Sequence, residues 1–317
     1  MKRLITNGLV FVGASIGLYL LCFAVLYYVP VGDSPMIYRV SQGLSLKGGD
    51  AYEKFEEFDR QVDPTLVIMG SSMARQDYDP RLFEKGGWKA FNLGTSAQSM
   101  VQSYELARHY LRGKKGTVLL LDLFPGAFYS DGFESSSDLI QNVSSHWTAC
   151  RIAWKLQDIR AVNMLTLRLL SRGSDPEFED KRYVGKGFVE RRDSVEKEVD
   201  YQMGTLTFKV QQIRAFQQLL TFCHTEGIEV VMVSHPLPRE YEYGKIKDFL
   251  TEVQKLAYEV QKNPILMDFT RVEGLNSRDH YYDHHHLNQA GVEIFNPKLI
   301  QKLNDQFPHL TQYSQSN

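Results

Sequence analysis

Three short stretches of the 317-residue chain hold side chains that could do nucleophilic chemistry together. The most informative is Tyr282-Asp283-His284-His285-His286-Leu287-Asn288-Gln289-Ala290-Gly291. Asp283 and His286 are three apart, so one turn of backbone brings the carboxylate onto one imidazole nitrogen and leaves the other free to accept a proton. Asn288 is placed to cap a following helix. A base needs a proton to take, and Met69-Gly70-Ser71-Ser72-Met73 offers serine hydroxyls where the spacing predicts that a strand gives way to a helix. Glycine permits a sharp turn there, and the N–H groups of such a turn face a bound anion. The third stretch, Phe91-Asn92-Leu93-Gly94-Thr95-Ser96, ends in a second glycine turn whose backbone N–H could join an oxyanion hole. Read singly, Gly-Ser-Ser is also ordinary turn or N-cap chemistry, and the third stretch is also an ordinary strand-to-helix loop.

Other chemistry competes for the same residues. His284, His285 and His286 could ligate a transition metal, but adjacent side chains diverge and no second Cys/His cluster stands at ligand spacing, so no metal is expected. Asp279-His280 is a second acid–imidazole pair, weakened because neighbours in sequence seldom face each other. His235, in a His-Pro loop, either lines the same cleft or serves only its loop.

The rest of the chain must bring these stretches to one place. Apolar runs at Thr65–Met69, Lys89–Leu93, Thr117–Leu123, Ile228–Ser234 and Ile265–Phe269 read as strands. Ser99–Arg112, Thr205–Thr225, Glu240–Gln261 and Asn288–Leu303 carry apolar residues at spacings of three and four and read as helices. The alternation predicts an α/β fold, a doubly wound five-stranded parallel sheet with helices on both faces. In such sheets ligand sites lie at the carboxyl ends of the strands, where all three stretches fall. Residues 128–203 exceed one crossover and read as an insertion, with a helix near Ala149–Leu170. The charge run from Asp175 to Asp200 that follows reads as a solvated surface or a partner-docking face.

Leu4 to Val31 contains no Asp, Glu, Lys or Arg, and it exceeds the roughly 20 apolar residues that cross a bilayer as a helix. The run ends in Tyr27-Tyr28-Val29-Pro30 without the small residues of a cleavage site, so it reads as an uncleaved signal anchor. Lys2 and Arg3 precede it and Asp33 is the first charge after it, which places the bulk of the chain outside the cytoplasm. The expected organisation is an anchor at 1–31, a connector at 32–61, a catalytic domain at 62–305 and a tail at 306–317. With 36 Lys+Arg against 38 Asp+Glu there is no basic field for nucleic acid. Cys22 lies in the span, and Cys150 and Cys223 form one disulfide or none.

Gly70-Ser71-Ser72, then Asn92-Leu93-Gly94, then Asp283-His284-His285-His286-Leu287-Asn288 with Gly291 resemble blocks I, II and V of the SGNH (GDSL-like) hydrolase superfamily, in the same order, over about 62–305. The resemblance implies a flavodoxin-like sheet, Ser72 as nucleophile, His286 as general base and Asp283 as its orienting acid. It also implies the N–H groups of Ser72 and Gly94 as oxyanion donors, and no cofactor. Block III departs from the pattern: Asp122-Leu123-Phe124-Pro125-Gly126 stands where the family has Gly-x-Asn-Asp, so the oxyanion-hole asparagine is missing. Loss of one such donor costs roughly 10²–10³ in turnover. That departure and the anchor make the chain similar to the envelope-modifying branch, which includes the DltD protein of teichoic-acid D-alanylation and the alginate acetylation proteins. The branch implies acyl transfer on an envelope glycan or lipid-linked polymer beside a membrane-bound O-acyltransferase. A plain deacetylase and a catalytically impaired scaffold subunit are the alternatives.

Overall fold

The computed structural model of the protein describes residues 1–32, 34–40, 44–60, 63–194, 207–241 and 243–311. Five strands form the central sheet: Leu66–Met69 (β1), Ala90–Asn92 (β2), Val118–Asp122 (β3), Glu229–Ser234 (β4) and Ile265–Asp268 (β5). They are the five expected from the apolar runs, trimmed at the ends. All neighbours pair in parallel, in the order β2-β1-β3-β4-β5. Every residue of β1, β2 and β3 is buried, which is why these strands read as unbroken apolar runs and not as alternating ones.

Eleven helices of six residues or more accompany the sheet among the described residues: Lys2–Tyr28 (α1), Gly49–Arg60 (α2), Ser72–Asp77 (α3), Met100–Tyr110 (α4), Phe133–Asn142 (α5), His146–Leu156 (α6), Ile159–Leu170 (α7), Val210–Glu226 (α8), Tyr243–Tyr258 (α9) and Gln289–Gln306 (α10), and the unnumbered Pro80–Lys85 between α3 and β2. Successive strand residues point to opposite faces. Val67, Met69, Leu119 and Leu121 therefore pack with Phe55, Phe58, Phe216 and Leu220, while Leu66, Ile68, Leu120 and Val231 pack with Trp88, Phe295 and Leu299. The strand order reverses between β1 and β3, and the crevice opened there by their diverging connections is where an α/β sheet of this order offers a site.

Several expectations need correction. The helix expected near Ala149–Leu170 is two, because Gln157 adopts a left-handed conformation (φ 53°) and the Asp158 side chain then accepts the Arg160 N–H at 2.8 Å to start α7. The connector is not merely polar, since α2 puts Phe55 and Phe58 into the core. Thr205 and Leu206 of the helix expected over Thr205–Thr225 lie outside the described residues, as do residues 195–200 of the charge run. Cys150 and Cys223 are both free, one exposed and one buried. Among the described residues α1 is the one helix long and apolar enough to cross a membrane.

Candidate active site

Gly70 closes β1 with φ 152°, and a Cβ on it would stand 2.8 Å from the Asp122 Cβ and 2.9 Å from that of Ala74. Only glycine fits this turn, which delivers Ser72 to the first position of α3. Ser71 is buried beside it. The histidine loop is pinched at its base: Tyr281 and Leu287 pair as an antiparallel bridge, Tyr282 N–H donates to His286 O (3.1 Å), and Asn288 N–H donates to His280 O (3.0 Å). Asn288 caps α10 by accepting the Gly291 N–H at 3.0 Å, as its position predicts. Leu287 N–H donates to Asp77 Oδ1 at 3.1 Å. One short helix thus holds the serine at its first residue and the histidine loop at its last.

Within that frame Asp283, His286 and Ser72 form a continuous relay. His286 Nδ1 lies 2.7 Å from Asp283 Oδ2, and His286 Nε2 lies 2.7 Å from Ser72 Oγ. Asp283 Oδ1 also accepts the N–H groups of His285 and His286, each at 2.9 Å. Burial works to raise the Asp283 carboxyl, but the His286 ring and these two N–H donors outweigh it and hold it well below the usual carboxylate range. Burial pushes His286 below the ordinary histidine value, with Asp283 opposing. The imidazole is therefore neutral near pH 7, with one nitrogen bound to a carboxylate and the other facing a hydroxyl. Asp77 behaves oppositely to Asp283: burial, Asp122 and Asp283 push its carboxyl well above the usual range. The two neighbouring acids are thus pushed in opposite directions, Asp283 down and Asp77 up.

The three histidine rings do not diverge as expected. A series of bends at 282–285 brings His284 and His285 to 3.8 Å between centroids, and His285 and His286 to 4.0 Å. Asp283, His284 and His285 accordingly present potential ligand atoms within 4.8 Å of one another. Asp283 Oδ2 is already committed to His286, so a cation there would compete with the relay. The turn after β3 brings the Phe124 ring, not an amide, against His285 (5.5 Å, 28°). The Gly94 N–H donates to Asn92 Oδ1 at 2.9 Å in the resting chain, so an oxyanion would have to draw it away. The Ser72 N–H, at the start of a helix, has no intrahelical acceptor. His235 is buried, with its Nδ1 2.9 Å from Asp122 Oδ1, which also accepts Tyr78 OH at 2.6 Å. His280 Nδ1 accepts the Asn276 N–H at 3.1 Å, so Asp279 and His280 make no second dyad.

Sequence reasoning missed the residues that fix this geometry. Arg75, one turn after Ser72, is nearly buried and makes a two-pronged pair with Asp50 of α2 (2.6 and 2.7 Å) and a further bond to Asp180 (3.2 Å). Lys54, also on α2 and fully buried, donates to Gly94 O. The described part of the charge run is solvated over 175–179, 181–182 and 192–194, but its stretch at 187–189 is buried. Asn92 N–H donates to Lys186 O (2.9 Å), Val189 N–H to Arg75 O (3.2 Å), and Arg191 Nε to Gln76 Oε1 (3.2 Å). Arg191 also lies 4.7 Å above the Tyr282 ring, which stacks on His286 at 5.3 Å and 15°. The one available signal was the unpaired charge of Arg75 and Asp77 beside an apolar strand, and nothing local says what answers it.

No family model matches the sequence, and no curated protein matches it. Among solved structures, a protein assigned as an acylhydrolase from Bacteroides fragilis is similar at 13% identity and TM-score 0.36, over 80% of this chain and 94% of that one. A GDSL-like lipase from Bacteroides thetaiotaomicron is similar at 14% identity and TM-score 0.35, over 80% of this chain and 99% of that one. At these values neither likeness bears on what the chain does, which rests on the geometry of its own site.

Proposed function

We propose that the protein is a membrane-tethered, extracytoplasmic serine esterase or O-acyltransferase that handles acyl esters of a cell-envelope glycan or lipid-linked polymer. The observation that carries this reading is the Asp283–His286–Ser72 relay, with both bonds at 2.7 Å. Ser72 Oγ attacks the ester carbonyl as His286 Nε2 takes its proton, and the imidazolium returns that proton to the departing alkoxide. A sugar hydroxyl or water, deprotonated by the same imidazole, then releases the acyl group from Ser72. The N–H groups of Ser72 and Gly94 stabilise the oxyanion. The relay supports an enzyme over a scaffold subunit, the apolar α1 supports the tether, and the block III departure together with that helix is what suggests the envelope substrate and a membrane-bound O-acyltransferase as partner. A fluorophosphonate probe tests the core of the proposal: it should label Ser72 in preference to Ser71, and Ser72→Ala should abolish labelling in a folded chain. Undiminished labelling of Ser72→Ala would remove the covalent mechanism.

A further inference from the structure

The insertion carries an exposed apolar surface on two consecutive helices. On α6, Trp147, Cys150 and Trp154 follow one another at three and four residues along one face, and all are exposed, the tryptophans at 78% and 80%. On α7, Ile159, Val162 and Leu169 continue an exposed apolar face. The opposite faces are apolar too, through Ile152, Ala153, Met164 and Leu167 in the core. Two of their charges, Arg151 and Arg168, are turned to the fold, while Lys155 and Arg160 stay at the surface. Arg151 pairs with the buried Glu105 at 2.7 Å, and Arg168 donates to the carbonyls of Ile140, Gln141 and Val143 at 2.9, 3.0 and 2.6 Å.

What covers this face is indicated by its continuity with α1. Tyr19, in the middle of the apolar helix, hydrogen-bonds Asn163 of α7, on the side of α7 that Ile159 shares. A hydrocarbon core takes about 20 helical residues, so a span counted from Leu4 ends near Phe23, and one counted back from Tyr28 ends at the helix terminus. Tyr19 then lies four to nine residues inside the domain-side edge, about 6 to 13 Å at 1.5 Å per residue. Helices that lie in a membrane interface sink their apolar face about 5–10 Å. The depth set by the Tyr19–Asn163 contact and the depth an interfacial helix adopts agree. Tryptophan is also the residue favoured at that level, and an Asn bonded to a Tyr is how a polar side chain is satisfied there.

We propose that α6 and α7 form a hairpin embedded in the leaflet on the domain side of α1, with Trp147, Trp154, Ile159, Val162 and Leu169 in contact with lipid. The occupant of the face is the bilayer, and the proposal rests on reading α1 as a membrane span. The hairpin gives the domain a second attachment, which fixes its orientation on the membrane where a single helix and connector would leave it free to turn.

The test uses the full chain reconstituted into phosphatidylcholine–phosphatidylglycerol vesicles, with and without brominated acyl chains, and with iodide on both sides. The chain has three tryptophans, and Trp88 is buried with its Nε1 bonded to Asn304. Emission from the other two is the difference between the chain and W147F/W154F. It should fall at least twofold with brominated lipid and change little with iodide. The unsubstituted chain alone gives the sign should the double variant fold poorly. Quenching by iodide but not by brominated lipid would overturn the proposal, since the face would lie in water. Quenching by neither would overturn it in favour of a protein partner. A chain that floats with the vesicles but shows either pattern refutes the hairpin alone, whereas a chain that does not associate with vesicles refutes the span as well.

Discussion

The histidine loop at 281–288 and the segment at 175–194 both grip the helix that carries Ser72, yet they bring different things to it. The loop's shape is set by local bonds, since Asp283 reaches His286 three residues on and Tyr281 bridges Leu287, and it joins the helix through His286 to Ser72 and Leu287 to Asp77. The segment's bonds join residues far apart, as when Asp180 meets Arg75 or Lys186 O receives the Asn92 N–H. The loop supplies groups that exchange protons, and the segment supplies no reacting atom. It sets where α3, the second glycine turn and the Tyr282 ring stand. A region can therefore matter to a site without a chemical residue in it, provided its charges are answered inside the fold.

Substitutions separate the two roles, and the largest effect belongs to the loop. Ser72→Ala or His286→Ala should lower turnover of an activated ester by on the order of 10³-fold or more with little change in melting temperature, because a triad works as a unit. A loss of only a fewfold would mean that the relay is not the catalytic group.

Next comes the clamp. Arg75→Met takes from Asp50 and Asp180 their shared partner; breaking a buried pair costs about 3–5 kcal/mol, and the loss here should fall below that range because Asp50 keeps Lys54 and Asp180 keeps Arg182. Chemical denaturation should register that loss, and a variant as stable as the parent would show that the segment merely rests on the site.

The pH profile sharpens the loop's side of the contrast. The reaction needs neutral His286, and burial lowers its pKa, so kcat/KM should fall on acidification through a point below the ordinary histidine value of about 6.5. In Asp283→Asn the influence that raises His286 is gone, so the residual activity should titrate at lower pH still. An inflection above 6.5 would contradict the buried, neutral base.

Smaller effects test the stack. Arg191→Met removes a cation from the Tyr282 ring, an interaction of about 0.5–1 kcal/mol, and should cost a fewfold in rate through the setting of His286. The smallest effects are expected from His284→Ala and from EDTA, which should leave the rate essentially unchanged. Inactivation by chelator with recovery on added zinc would turn Asp283, His284 and His285 into a metal site.

The legible part of the protein follows from short-range physics. Apolar runs of strand length alternating with three-and-four spacing fix five parallel strands, and in the three wholly buried ones burial on both faces demands such runs. A charge-free stretch at the amino terminus marks α1 as able to span a bilayer. The Asp283–His286 spacing allows the acid–imidazole contact, and Asn288 before Gly291 announces a helix cap. Gln157 was harder to read, because a left-handed residue other than glycine leaves no mark in composition, and one expected helix became two.

Other features depend on where the backbone goes after the sheet has formed. That Ser72 and not Ser71 faces His286 depends on the Gly70 turn packed against Asp122. That Asp77 holds Leu287, that Arg75 is shared by two acids, and that a charge run lies over the site are all contacts between residues dozens to hundreds of positions apart. The sequence by itself determined the elements and the local acid–base pair, because hydrophobic periodicity and i,i+3 reach act within one turn or one strand. Tertiary structure decided which serine meets the base, which carboxyl is pushed down and which up, and which arginine clamps the helix. Those outcomes depend on burial and on the proximity of charges, and burial exists only once the chain has packed.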